Sequence, residues 1–251
     1  MATQGQSDSL LFNSYNSKSL ETLQLFFENW ASETRAVSNA EFLELNDTEK
    51  NIYEIFQAFY DPKDIPRDGG SAFGNEIYKN AKYLILQDKI EYTLVDSIAN
   101  LFQDDKAILN NAVLNNRTKG NCDSLVHFRP RLSFTEAKCV FLTGQYDSLL
   151  NKFLGNKYSN LGTGSIMSPA RAKGESEKRM KFLSKFVKIW YGHWGGYWQL
   201  YSYPYATRIL IDRDLQNALI DYRMIYEGGY AFMHKTNGKW ELVKAKRTWI
   251  E

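Results

Sequence analysis

The chain has 251 residues, of which 43% are hydrophobic and 24% charged, a composition that indicates a globular protein and excludes a disordered or fibrous one. Its net charge of +2 is too small to attract nucleic acid over a distance, so we expect no nucleic acid partner. Aromatic residues make up 15% of the chain, which favours extensive β-sheet.

The N-terminal part predicts a polar tail followed by amphipathic helices. Residues 1–17 are polar and aperiodic, which predicts a flexible tail. After Ser19, which can cap a helix, apolar residues recur at helical spacing. Capping-box patterns that begin at Ser38 and at Asn46 predict two more helices, and Pro62 ends the second of them. The apolar stripes of these helices need a partner surface to cover.

The middle of the chain predicts short strands, one helix and a long loop. A β-hairpin is predicted over 83–86 and 90–95 with its turn at Asp88 and Lys89, and two further strands over 126–134 and 139–142. A short amphipathic helix ends at Gly155, the residue type that favours a helix C-terminus. The stretch 156–180 lacks periodicity and predicts a long loop.

The C-terminal part, from about residue 183, predicts an antiparallel meander. Asn237-Gly238 is a strong hairpin signal because both turn positions take positive φ, Gly228-Gly229 is a second such signal, and a third turn falls at 212–217. A meander has one apolar face that helices must cover. We therefore expect an α+β fold in which a curved antiparallel sheet wraps around the N-terminal helices. This roll-like unit forms a single domain over 18–251, with an insertion around 62–180 that adds a hairpin and extra strands.

Four segments carry a resemblance to a known family. They are His193-Trp-Gly-Gly-Tyr-Trp, Asn217-Ala-Leu-Ile-Asp-Tyr-Arg, Glu227-Gly-Gly-Tyr-Ala and Asn237-Gly-Lys-Trp-Glu-Leu-Val. With the leading helices, they resemble the nuclear-transport-factor-two-like superfamily of α+β rolls, which includes ketosteroid isomerases and SnoaL-like polyketide cyclases. The large insertion is similar to those of exported bacterial members. The resemblance implies a cone-shaped pocket, in which the enzymes of the family place an Asp or a His-Asp pair.

His193 is the candidate catalytic residue. Strand alternation puts it on an inward stripe with Val187, Ile189 and Tyr191, and the glycines that follow it would bend the strand. In that position His193 either belongs to the core or acts as a general base. A general base would need a carboxylate to orient it and a substrate proton within hydrogen-bond reach.

The candidate ligand-binding residues are aromatic: Tyr191, Trp198, Tyr222 and Tyr226. Alternation places Tyr222 and Tyr226 on the inward face of their strand, and Asp221 and Glu227 on the outward face. A buried tyrosine can donate a hydrogen bond to a ligand oxygen or fill space in the core. If several aromatic rings were exposed in a row, they would instead suit sugar rings.

The chain carries no recognised catalytic or cofactor motif. It lacks GxSxG, GxGxxG, Walker and HExxH patterns, and we expect no cofactor. Metal binding is not expected either, because His127, His193 and His234 are widely separated and have no partner at ligand spacing. Cys122 and Cys139 can pair in an oxidising compartment or remain free thiols.

The leading hypothesis is a non-catalytic binding or interaction protein with an aromatic-lined cone for a small apolar ligand. The alternatives are a lyase, isomerase or cyclase that uses His193 as general base, and a glycan-binding module. These hypotheses imply a small molecule or a protein as the partner, and they are compatible with a homodimer. No apolar run is long enough to span a membrane. The N-terminus shows no signal peptide, which fits a cytoplasmic protein or an exported one whose signal has been removed.

Overall fold

The computed structural model describes residues 4–64, 67, 77–98, 122–155, 174–191 and 198–250. The chain divides into two compact units. Unit 1 contains Met1–Arg35, Ile77–Gln87 and Leu132–Ser202, and unit 2 contains Ala36–Glu76, Asp88–Arg131 and Tyr203–Glu251. Helices and mostly antiparallel strands together confirm the predicted α+β class.

The described residues contain six helices and ten strands. The helices are α1 Gln4–Asn16, α2 Leu20–Glu33, α3 Asn39–Glu44, α4 Asp47–Phe59, α5 Gly144–Leu154 and α6 Glu175–Leu183. The strands are β1 Tyr83–Gln87, β2 Lys89–Val95, β3 Asp123–Val126, β4 Lys138–Leu142, β5 Trp190–Tyr191, β6 Trp198–Gln199, β7 Tyr205–Asp212, β8 Asn217–Met224, β9 Glu227–Thr236 and β10 Lys239–Ile250. None of the described helices is both long enough and apolar enough to cross a membrane.

Unit 2 is built on a six-stranded sheet of order β10-β9-β8-β7-β2-β3. Strands β7 to β10 form an antiparallel meander as predicted, but it begins at Tyr205 rather than at about residue 183, and β2 pairs in parallel with β7. The predicted hairpin at Asn237-Gly238 is confirmed, with φ of 51° and 79° at its two turn residues. The predicted turn between 212 and 217 is confirmed as well, since β7 ends at Asp212 and β8 begins at Asn217.

Helix α4 packs against β9 and β10 through the apolar stripe predicted for it. Asn51 fixes this packing from inside the contact. Its Oδ1 accepts hydrogen bonds from Trp240 Nε1 at 2.9 Å and from Lys235 Nζ at 2.8 Å, and its Nδ2 donates to the Asp47 carbonyl at 2.7 Å. A single amide therefore joins the helix to two strands with its polar atoms satisfied.

Unit 1 encloses an aromatic core around a two-stranded parallel sheet of β1 and β4. Helix α2 packs against β4, and the Trp30 indole donates to the Phe141 carbonyl at 2.9 Å. Strands β5 and β6 form a separate antiparallel pair within the same unit. Of the helices predicted to cover the meander, α4 does so, whereas α2 covers β4.

The predicted helix caps are confirmed where they depend on local bonds. Ser19 Oγ accepts from the Thr22 N–H at 3.1 Å, and the capping boxes at Ser38 and Asn46 both form. Gly155 ends α5 with a φ of 77°. Each of these contacts spans only a few residues, so the sequence pattern is sufficient to predict it.

The prediction of a flexible tail over 1–17 is wrong from residue 4 onward. Gln4–Asn16 forms α1, whose Leu11 is fully buried in the core of unit 1. The polar composition hid a short apolar segment that tertiary packing stabilises as a helix. The loop predicted over 156–180 is likewise wrong at its end, where α6 begins at Glu175, while 156–173 lies outside the described residues.

The hairpin predicted over 83–95 does not form. Strand β1 pairs in parallel with β4 in unit 1, and β2 pairs with β7 and β3 in unit 2. The boundary between the units falls between Gln87 and Asp88, at the predicted turn. Parallel pairing depends on distant segments, which a local pattern cannot reveal. The insertion that the sequence predicts around 62–180 is thus divided between the two units.

Candidate functional site

The predicted site residues are divided between the two units. Trp198 lies in β6 of unit 1, is buried, and donates its indole N–H to the Gly155 carbonyl at 3.0 Å. Tyr222 and Tyr226 lie in unit 2, in β8 and in the turn that follows it. His193 and the side chain of Tyr191 lie outside the described residues, so their predicted roles stay predictions. The backbone of Tyr191 pairs with Trp198 across β5 and β6, so Tyr191 and Trp198 lie together in unit 1, and Tyr222 and Tyr226 lie together in unit 2.

Tyr222 occupies the inward face of β8, as predicted. It is buried with Ile220 and Met224, and its ring lies against Phe59 of α4 with ring centroids 5.8 Å apart. Tyr226 is half-buried in the two-residue turn between β8 and β9. The face of the sheet that α4 covers is thus aromatic at this end.

Glu227 faces the same side as Tyr222, which corrects its predicted outward position. The alternation counted from β8 is interrupted by the turn at Ile225, whose φ is 30°, and Tyr226. Glu227 then pairs directly with Met224, and paired residues of antiparallel strands share a face. The carboxylate therefore lies on the inward side, and its residue is only 2% exposed.

The glycines before Tyr230 do not form the predicted turn. Gly228 and Gly229 lie inside β9, where β10 approaches unusually closely. A Cβ at Gly229 would come within 1.9 Å of the Lys246 carbonyl oxygen, and one at Gly228 within 2.3 Å of the Trp249 ring. Close approach of a neighbouring strand, rather than positive φ, is what requires glycine here.

Arg247 of β10 is the partner of the buried carboxylate. Its Nη1 lies 2.7 Å from Glu227 Oε2, and the arginine side chain is 37% exposed. The other carboxylate oxygen, Oε1, is buried and has no hydrogen-bond partner among the described residues. Buried polar atoms are nearly always hydrogen-bonded, because an unmet one costs about 1–3 kcal/mol. The pair therefore presents one unmet acceptor beside a cation with spare donors.

This arrangement can bind a hydrogen-bond donor, because one carboxylate oxygen of Glu227 is able to accept a further hydrogen bond. The predicted general base, His193, lies outside the described residues. Within the described ranges, no group of three or more His, Cys, Asp or Glu side chains could hold a metal ion.

Asp221 lies on the opposite face of the sheet from Tyr222, as predicted. It pairs across the strands with Arg208 and Tyr230, while Arg223 lies over the Trp249 ring. Burial raises the pKa of Asp221, against the opposing effects of Arg208 and Thr207. The burial of Asp221 depends on residues of the neighbouring strands, so no local pattern in the sequence predicts it.

Five aromatic residues would suit sugar rings if they were exposed in a row: Trp194, Tyr197, Trp198, Tyr201 and Tyr203. Trp198 and Tyr203 are only 7% and 3% exposed, and Tyr201 is half-buried. Trp194 and Tyr197 lie outside the described residues, so the described members of this set do not form an exposed row.

Comparison with known proteins gives no relative: no family model, no curated protein and no solved structure matches the chain.

Proposed function

We propose that the protein is a non-catalytic binding protein and that unit 2 is a roll-like domain, akin to the nuclear-transport-factor-two-like rolls, that holds a small and largely apolar ligand. The observation that supports this function is the buried Glu227 carboxylate, which has one oxygen without a partner among the described residues. A buried carboxylate is tolerated when its oxygens are satisfied, and a bound ligand can supply the missing donor.

The chemistry of the pair specifies the polar end of the ligand. Glu227 Oε1 needs a donor, while Arg247 has donors beyond the Nη1 that contacts Glu227. A primary amide meets both needs, because its N–H₂ can donate to the carboxylate and its carbonyl can accept from the guanidinium. The apolar remainder of the ligand would then border Tyr222, Met224 and Tyr226.

Two matched probes test this proposal. Benzamide carries an amide on an apolar ring, and methyl benzoate keeps the ring and the carbonyl but has no donor. We expect benzamide to bind about tenfold more tightly, because a hydrogen bond to a buried charge contributes about 1.5–3 kcal/mol. Titration followed by intrinsic fluorescence measures both dissociation constants.

The variant Glu227→Gln should reduce the preference for benzamide to less than about threefold, because a neutral acceptor forms the weaker hydrogen bond. Glu241→Gln, at an exposed position on β10, is the matched control and should keep the preference. Far-UV circular dichroism verifies that both variants fold. Equal affinity of the two probes for the unmodified chain would refute the proposal, as would a preference that survives Glu227→Gln.

A further inference from the structure

Helix α2 carries two glutamates that each accept a hydrogen bond from a buried tyrosine of unit 1. The Tyr83 hydroxyl donates to Glu28 Oε1 at 2.7 Å, and the Tyr146 hydroxyl donates to Glu33 Oε2, also at 2.7 Å. Both tyrosines are buried, with exposures of 3% and 1%. The two pairs are therefore alike in their hydrogen bond and can be compared directly.

The pairs differ in how their negative charge is neutralised. Lys138 Nζ lies 2.8 Å and 2.7 Å from the two oxygens of Glu28. In contrast, no ion pair among the described residues involves Glu33. Glu33 Oε1 is buried and has no hydrogen-bond partner among the described residues either. A buried carboxylate oxygen of this kind calls for a cation or a donor.

Ser7 of α1 brings a third oxygen to the same place. Ser7 is 1% exposed, and its Oγ lies near the Tyr146 hydroxyl but makes no well-formed hydrogen bond to a described residue. Burial is the largest effect that raises the pKa of Tyr146, and the hydrogen bond to Glu33 raises it further. The neighbouring Ser7 hydroxyl lowers that pKa. The hydroxyl of Ser7 is thus close to the phenol that Glu33 holds.

The position of Glu33 in its helix increases the need for positive charge. Glu33 is the last residue of α2, where the helix dipole places partial negative charge. A carboxylate at that end is disfavoured, whereas a cation is stabilised. The Tyr146 hydroxyl donates a hydrogen bond to Glu33 but is itself neutral, so it adds no positive charge beside the carboxylate.

We propose that Glu33 Oε1, Ser7 Oγ and the Tyr146 hydroxyl oxygen bind one monovalent alkali cation, Na⁺ or K⁺, inside unit 1. Oxygen ligands suit hard cations, and one carboxylate neutralises a single positive charge. A divalent ion would leave the buried site with net charge, which is costly.

Thermal unfolding of the full chain in matched salts tests this site. Solutions of KCl, NaCl and tetramethylammonium chloride at one ionic strength of about 150 mM screen surface charges equally, but the organic cation is too large for a buried site. We expect a higher Tm in KCl or NaCl, by about 4 °C if the Kd is about 10 mM. Equal Tm values in the three salts would overturn the proposal and leave a bound water as the partner.

Three variants assign the effect to the site. Glu33→Gln keeps an acceptor for Tyr146 but removes the charge, and it should abolish the difference in Tm between salts. Ser7→Ala should reduce that difference, and it serves as the second variant if Glu33→Gln does not fold. Glu28→Gln removes the glutamate that Lys138 already neutralises and should retain the full difference. A difference that persists in both Glu33→Gln and Ser7→Ala, or that disappears in Glu28→Gln alone, would contradict the proposal.

Discussion

The two cysteines illustrate how far the environment of a residue sets its chemistry. Both are free thiols, Cys122 in unit 2 and Cys139 in unit 1. Cys122 is exposed, whereas burial raises the pKa of Cys139 to about 12. The thiolate is the reactive form, so the two thiols should differ sharply in reactivity.

At about pH 8, we expect Cys122 to react rapidly with a disulfide reagent such as dithionitrobenzoate, while Cys139 stays unmodified in the folded chain. Only about one in 10⁴ Cys139 side chains would be ionised at that pH. Absorbance of the released thiolate should show one fast thiol per native chain and two after unfolding in urea. Rapid reaction that survives Cys122→Ser would contradict this assignment.

At the level of elements, the sequence predicts what depends on neighbours along the chain. The caps at Ser19 and Ser38 and the turn at Asn237 are local, and all three are confirmed. The parallel pairings of β1 with β4 and of β2 with β7 depend on segments far apart in sequence, and the predicted hairpin over 83–95 was therefore wrong.

The candidate site was missed for a related reason. Alternation correctly predicts the inward face of Tyr222, but it cannot be continued through a turn whose predicted position is wrong, and it therefore predicts an outward Glu227. The sequence predicts the turn at the pair of glycines, whereas the turn lies at Ile225 and Tyr226. Arg247 carries no local signal, since its partner lies on another strand.

The role of Gly229 as a point of close approach gives a test of the β9–β10 pairing. Gly229→Ala places a Cβ 1.9 Å from a backbone oxygen of β10, which requires the strands to shift. We expect a loss of about 2–3 kcal/mol in the free energy of unfolding, measured by urea denaturation.

Gly144→Ala is the matched control for this substitution. Gly144 lies in the first turn of α5, where an added Cβ meets nothing within 4 Å. The change should be neutral or stabilise by up to about 1 kcal/mol, because alanine favours helix. Similar unfolding midpoints for the two variants would contradict the close approach at Gly229.

At the level of the whole molecule, the chain contributes three separate segments to each unit. The aromatic content that favoured one large sheet is shared between a core around the parallel pair of unit 1 and the six-stranded sheet of unit 2. The two proposed sites follow this division. The Glu227 site belongs to unit 2 and the cation site to unit 1, so each can fail without the other.

Recognition of the ligand by the Glu227 carboxylate can be tested by ¹H–¹⁵N spectra recorded during a benzamide titration. We predict that the amide signals of Gly228, Gly229 and Arg247 shift, that signals of unit 1 such as that of Phe186 do not, and that Glu227→Gln removes the shifts. Shifts centred on unit 1, or shifts at the same residues that persist in Glu227→Gln, would contradict this recognition.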